Sequence, residues 1–173
     1  KILSKALRPL PVVKETKDFV TLTASGVEVS ISKRTGLMQD YKSNGEQFFR
    51  RLPAPNFWRA PTDNDFGNSM QFNSNVWRTV GKNTKLNTIE VKETDGKATV
   101  VATLLLRDVA SVYTIVYTMN TDGSFEVLNS YKAGDNPFPE MPRFGMIFSL
   151  RKDLDNFSYY GRGPWENYQD RNT

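Results

Sequence analysis

Histidine and cysteine are both missing from the 173 residues. Without cysteine there is no disulfide framework and no thiolate nucleophile, and the redox compartment stays open. Without histidine there is no Ser-His-Asp triad, no imidazole base poised near neutral pH and little prospect of a zinc site. Long apolar runs are lacking as well. None approaches the roughly 18 residues that a membrane span needs, and the opening KILSKALRPLPVV has no extended apolar stretch of the signal-peptide kind. Nor is charge of one sign concentrated anywhere: 23 lysines and arginines are interleaved with 19 acids for a net charge of +4, a scatter that argues against a nucleic-acid surface. Any chemistry in this chain falls to carboxylates, tyrosine, lysine or arginine.

What the sequence does have is alternation. In DFVTLTASGVEVSISKRTG, Phe19, Thr21 and Thr23 share one face and Val20, Leu22 and Ala24 the other. The chain then turns at Ser25-Gly26 and resumes as Val27, Val29 and Ile31, which is a hairpin pattern. Asn44-Gly45 in GLMQDYKSNGEQFF is a favoured type I′ pair between two short strands. One helix is expected over residues 69–82, where Met70, Phe72, Val76, Trp77 and Val80 fall near a 3.6-residue period before Gly81. From Lys85 strands dominate: KLNTIEVKET, KATVVATLLLRD, SVYTIVYTMN and SFEVLNSYKA, with turns at Asp95-Gly96 and Asp122-Gly123. After an irregular GDNPFPEMP come RFGMIFSLRK and NFSYYGRG. The expectation is one all-β domain over residues 1–173, about eleven antiparallel strands in two stacked sheets.

Two segments break this rhythm. In PNFWRAPTDNDFGN, Pro55 and Pro61 are expected to interrupt any ladder, and Asp63, Asn64 and Asp65 are residues that bond back to their own backbone, so a shaped loop is expected. In YYGRGPWENYQDR, Gly161 and Gly163 permit close backbone approach and Pro164 stiffens the turn ahead of Trp165, Glu166, Asn167 and Tyr168. Aromatic rings beside carboxylates and amides suit a pyranose, whose C–H face stacks while its hydroxyls are bonded. Anchoring in the core is the simpler role for Trp58, Trp77 and Trp165. Asp63 with Asp65, or Glu166 with Asp170, would be the carboxylate pairs of a glycosidase, yet acids two residues apart are better used to satisfy loop N–H groups or to hold Arg59. TDNDFG lacks the EF-hand spacing. A looser cation site on the clustered oxygens of Asp63 or Asp65 is the alternative, and no metal is assigned.

PNFWRAPTDNDFGN and YYGRGPWENYQDR, about a hundred residues apart, resemble the two hallmark stretches of the C-terminal domain of large multidomain β-galactosidases of glycoside hydrolase family 2. KRTGLMQDYKSNGEQFF is similar to the strand-turn-strand that precedes the first of them, so the likeness covers nearly the whole chain. The resemblance implies an antiparallel supersandwich shared with galactose mutarotase-like domains, incomplete at its C-terminal end. It implies further that the two catalytic glutamates of a retaining enzyme lie on a barrel upstream, so that this chain holds no catalytic residue and is inactive alone. Gly67, Asn68, Ser69, Met70 and Gln71 would border the active-site mouth, with Gly67 as a hinge. Asn56, Trp58, Arg59, Asp63, Asn64 and Asp65 would be structural, Arg59 being held by Asp63 or Asp65. The parent's magnesium and sodium would find their ligands mainly elsewhere, leaving no cofactor here. The implied partners are the parent's other domains and a galactoside, with a second copy at open sheet edges, and neither nucleic acid nor membrane. The alternative is a free-standing carbohydrate-binding module using Trp58, Trp165, Glu166 and Asn167. An aldose epimerase on the same fold conflicts with the missing histidine.

Overall fold

The computed structural model describes residues 9–156 and 158–160, and eleven strands run through them. The first five, β1 (Val12–Glu15), β2 (Phe19–Ala24), β3 (Val27–Ser32), β4 (Met38–Ser43) and β5 (Glu46–Gln47), form an antiparallel sheet in chain order. Its two tight turns have positive φ at both central residues, 46° and 81° at Ser25-Gly26 and 51° and 82° at Asn44-Gly45, the backbone twist that a two-residue hairpin requires. Next, β6 (Phe49–Asn56) leads into three short helices, α1 (Asp63–Gly67), α2 (Met70–Asn73) and α3 (Trp77–Val80). The strands β7 (Thr84–Thr94), β8 (Lys97–Leu106), β9 (Ser111–Asn120) and β10 (Phe125–Lys132) make a four-stranded meander. Asp95-Gly96 repeats the two-residue turn. At the β9–β10 connection, Gly123 takes φ 82° while the Asp122 carboxylate accepts from the N–H and the hydroxyl of Ser124, a side chain closing the turn from within.

Period-two patterning places the core between these two sheets. Val20, Leu22, Val29 and Ile31 from the first sheet are fully buried, as are Val100, Ala102, Leu104, Leu106, Tyr113, Ile115 and Tyr117 from β8 and β9. One cross-sheet contact fixes their spacing: Tyr117 Oη donates to the carbonyl of Gly36 at 3.2 Å. Gly36 has to be glycine there, because its φ is +71° and a Cβ would lie 2.8 to 3.0 Å from Leu86, Leu104 and Ala102. The all-β antiparallel sandwich expected from the alternation is present.

Four local expectations are corrected. A third, two-stranded sheet pairs β6 with β11 (Gly145–Leu150), so the strands are not confined to two sheets. Pro55 does not break that ladder; it sits opposite Met146 inside it. Each strand of a two-stranded sheet keeps an unpaired edge, where a residue without an N–H does no harm. The helix expected over residues 69–82 is split into α2 and α3, since Asn73, Ser74 and Asn75 favour local backbone bonding over helix continuation. Met70, Trp77 and Val80 are buried as the period implied, but Phe72 is 75% exposed. Lastly, NFSYYGRG is no strand in its described part: Asn156 and Ser158 to Tyr160 carry no ladder, because no strand lies beside them among the described residues.

Leucine truncation at two depths tests this architecture. Leu104→Ala, in the closed core, should cost about 2–5 kcal/mol in equilibrium denaturation. Leu128→Ala, on the outer face of β10 and 66% exposed, should stay within about 0.5 kcal/mol.

Candidate functional site

The segment between β6 and β7 is where the fold gathers its polar groups. Leaving β6, the Asn56 side-chain amide donates to the Trp58 carbonyl at 2.8 Å and bends the chain. Phe57, 1% exposed, drives inward against Trp77, Tyr113 and Phe144. Trp58 is left half-buried, with the Arg78 guanidinium 5.8 Å from its ring centre, a cation–π arrangement. Gly81, after α3, lies so close to β6 that a Cβ would stand 2.2 Å from the Pro55 carbonyl oxygen. Gly81 is therefore required by close approach; its φ of −64° is ordinary.

Arg59 is the hub of the segment. Its guanidinium forks onto the carboxylate of Asp65, with Nη1 on Oδ2 and Nη2 on Oδ1 at 2.9 Å, while Nε donates to the Pro142 carbonyl at 3.2 Å. Asp65 Oδ2 also accepts from the backbone N–H and hydroxyl of Thr62, at 2.7 and 2.9 Å, and so closes the N-terminus of α1 in the manner of a capping box. Hydrogen bonding from Arg59, then from the Thr62 backbone, holds the Asp65 carboxyl down at about 2 against an ordinary 3.8. Of the two acids expected to hold Arg59, Asp65 does so, whereas Asp63 and Asn64 are exposed on α1. Residues 63–67 are thus helical where a loop was expected. The pattern Thr62-x-x-Asp65 was the available signal, with aspartate in the place of the usual glutamate.

From Gly67, the last residue of α1, the chain crosses Asn68 to Ser69 at φ 57° and ψ 30°, with Gly67 and Asn68 both exposed. The left-handed residue is therefore Ser69, while a Cβ on Gly67 would meet nothing within 4 Å. Met70 is buried and anchors α2; Asn73 donates to the Asn68 carbonyl at 3.1 Å; Gln71 Oε1 is buried without a hydrogen-bond partner. Arg59, Asp65, Asn68 and Met70 form one wall of a cleft of about 440 Å³ whose other wall is residues 139–142. That second wall hangs from two donors, Arg59 at Pro142 and Trp77, whose Nε1 donates to the Pro139 carbonyl at 2.8 Å. The sequence showed residues 134–142 only as irregular, and nothing in it pointed to Trp77 as their tether. Trp165, Glu166, Asn167 and Tyr168 lie outside the described residues. Among the described residues no group of three or more acids is placed to hold a metal ion.

Because the Asp65 value is depressed, its contribution to stability is fully present above about pH 4 and is lost as pH falls toward 2. The melting temperature of the protein should exceed that of Asp65→Asn by several degrees at pH 7, and the gap should narrow steadily as pH falls from 4 toward 2. Arg59→Ala should lower the neutral-pH melting temperature by a similar amount; unchanged folding and thermal stability in that variant would refute the latch.

The profile of the family described as β-galactosidase small chain matches residues 23–173. The β-galactosidase of Priestia megaterium is 32% identical over 170 residues, covering 98% of this chain and 16% of that protein. The β-galactosidase of Clostridium acetobutylicum is 38% identical over 141 residues, and that of Lactobacillus delbrueckii subsp. bulgaricus 33% over 156, covering 81% and 87% of this chain. In each case the chain spans only about one-sixth of the relative's length, 15–16%. The chain belongs to the β-galactosidase small-chain family.

Proposed function

We propose that the chain is a non-catalytic part of a retaining β-galactosidase, lending residues 67–71 to the rim of an active site whose reacting carboxylates stand on another domain. The parent enzyme would hydrolyse terminal β-D-galactosides, its magnesium and sodium held outside this chain. Residues 1–173 would belong to one domain of the galactose mutarotase-like kind. The observation that carries the reading is the Arg59–Asp65 fork directly ahead of the rim segment. It commits the best-placed carboxylate of the motif to an ion pair and keeps it charged, which suits an anchor and not a proton donor. Gly67, Asn68 and Ser69 then leave that anchor with little burial, the property expected of a segment that shifts when a sugar arrives.

Carbohydrate contact by Trp165, Glu166, Asn167 and Tyr168 belongs to the same proposal, as does pairing of a second copy along the outer edges of β7 and β10.

Two measurements test it. The purified chain should release no nitrophenol from o-nitrophenyl β-D-galactoside; turnover abolished by replacing its own acids would contradict the proposal. In the complete parent enzyme, Ser69→Pro cannot keep a φ of 57° and should change kcat or KM about tenfold through the rim, and unaltered constants would remove the rim from the mechanism. Saturable binding of a galactoside by the isolated chain would favour the free-standing carbohydrate-binding module.

A further inference from the structure

A second cleft, of about 450 Å³, opens between the end of β6, α3 and the start of β7, with Trp77 in its lining. Leu37, Trp58 and Ile147 give it an apolar lining, and Arg51, Arg78 and Lys82 surround it with positive charge. Ile147, on β11, is 40% exposed, so the apolar lining is open to solvent. Among the described residues Arg51, Arg78 and Lys82 have no ion pair and no side-chain hydrogen bond, Arg78 has only the Trp58 ring, and no aspartate or glutamate lines the cleft to offset them. Three like charges around one opening repel each other and raise the local potential, a cost that a complementary anion removes.

We propose that this cleft docks an acidic segment of another domain of the larger enzyme, one in which carboxylates flank an apolar or aromatic side chain. The carboxylates would pair with Arg51, Arg78 and Lys82, and the apolar side chain would lie between Trp58 and Ile147. The volume falls within the roughly 300–1,000 Å³ of sites that enclose ligand-sized groups, so it receives side chains and not a whole element. Nucleic acid fits less well, because beyond this cleft the basic residues are interleaved with acids and offer no continuous track for a phosphate backbone. This inference rests on the reading of the chain as part of a larger β-galactosidase, and it assigns a chemistry to the partner surface.

The test uses the full chain and a short fluorescein-labelled peptide alternating glutamate with leucine, followed by fluorescence anisotropy. A second peptide has glutamine for every glutamate. The acidic peptide should bind saturably, the glutamine peptide at least about tenfold more weakly, and tripling the ionic strength should weaken the first. The double variant Arg78→Glu, Lys82→Glu, with folding checked by circular dichroism, should lose about tenfold or more in affinity. Lys97→Glu should bind as the unaltered protein does, since Lys97 stands ten residues along the β7–β8 ladder from the Thr84 end that borders the cleft. Equal binding of both peptides, no binding of the acidic one, an equal loss in Lys97→Glu, or tighter binding of a short oligodeoxynucleotide would each overturn the proposal. No galactoside enters this assay, so its failure would leave the rim reading standing, and failure of the rim reading would appear in the kinetics of Ser69→Pro alone.

Discussion

The guanidinium of Arg59 is the contact through which three pieces of chain become one surface. It reaches the start of α1 through Asp65, residues 139–142 through the Pro142 carbonyl, and the end of β6 through its own backbone. A planar fork with donors on several edges can bind a carboxylate bidentately and still offer Nε to a carbonyl; a lysine has no such geometry. The aspartate is equally committed, since it closes the N-terminus of α1 with the oxygen that also meets Arg59. An acid so bound is an anchor for the start of α1.

Aromatic packing places that hub. Phe57 is the first residue after β6 and is pulled into the space between the sheets by Trp77, Tyr113 and Phe144. Trp58 and Arg59, the next two residues, are left partly exposed beside this buried ring. Trp77 serves both directions: its ring closes the core against Phe57 and Tyr131, and its indole N–H suspends Pro139. A sandwich core that buries Val, Leu and Tyr by strict alternation supplies the rigid base for this.

Much of this was legible before any coordinates. The strands β2, β3, β8, β9 and β10 announce themselves by alternation, and Ser25-Gly26, Asn44-Gly45 and Asp95-Gly96 by turn chemistry, because those signals are local and each is physically forced. Arg59's partner was narrowed to two acids for the same reason. What escaped was set by tertiary contact. Pro55 is tolerated in a ladder because its sheet has two strands, which no window of sequence shows. Phe72 matched a helical period but faces water, since the helix that would have buried it breaks at Asn73, Ser74 and Asn75. The tether from Trp77 to Pro139 joins residues 62 apart in the chain and left no local trace.

The chain belongs to the β-galactosidase small-chain family and covers about one-sixth of its relatives, and within it the Arg59 latch is a local device that joins two segments of surface. Hydrogen–deuterium exchange on Arg59→Leu tests that most directly. Amides of residues 62–73 and of residues 139–146 should exchange faster together, while those of β8 and β9 keep the protection of the parent protein. Faster exchange in only one of the two segments, or unchanged exchange in both, would contradict the claim that Arg59 links them.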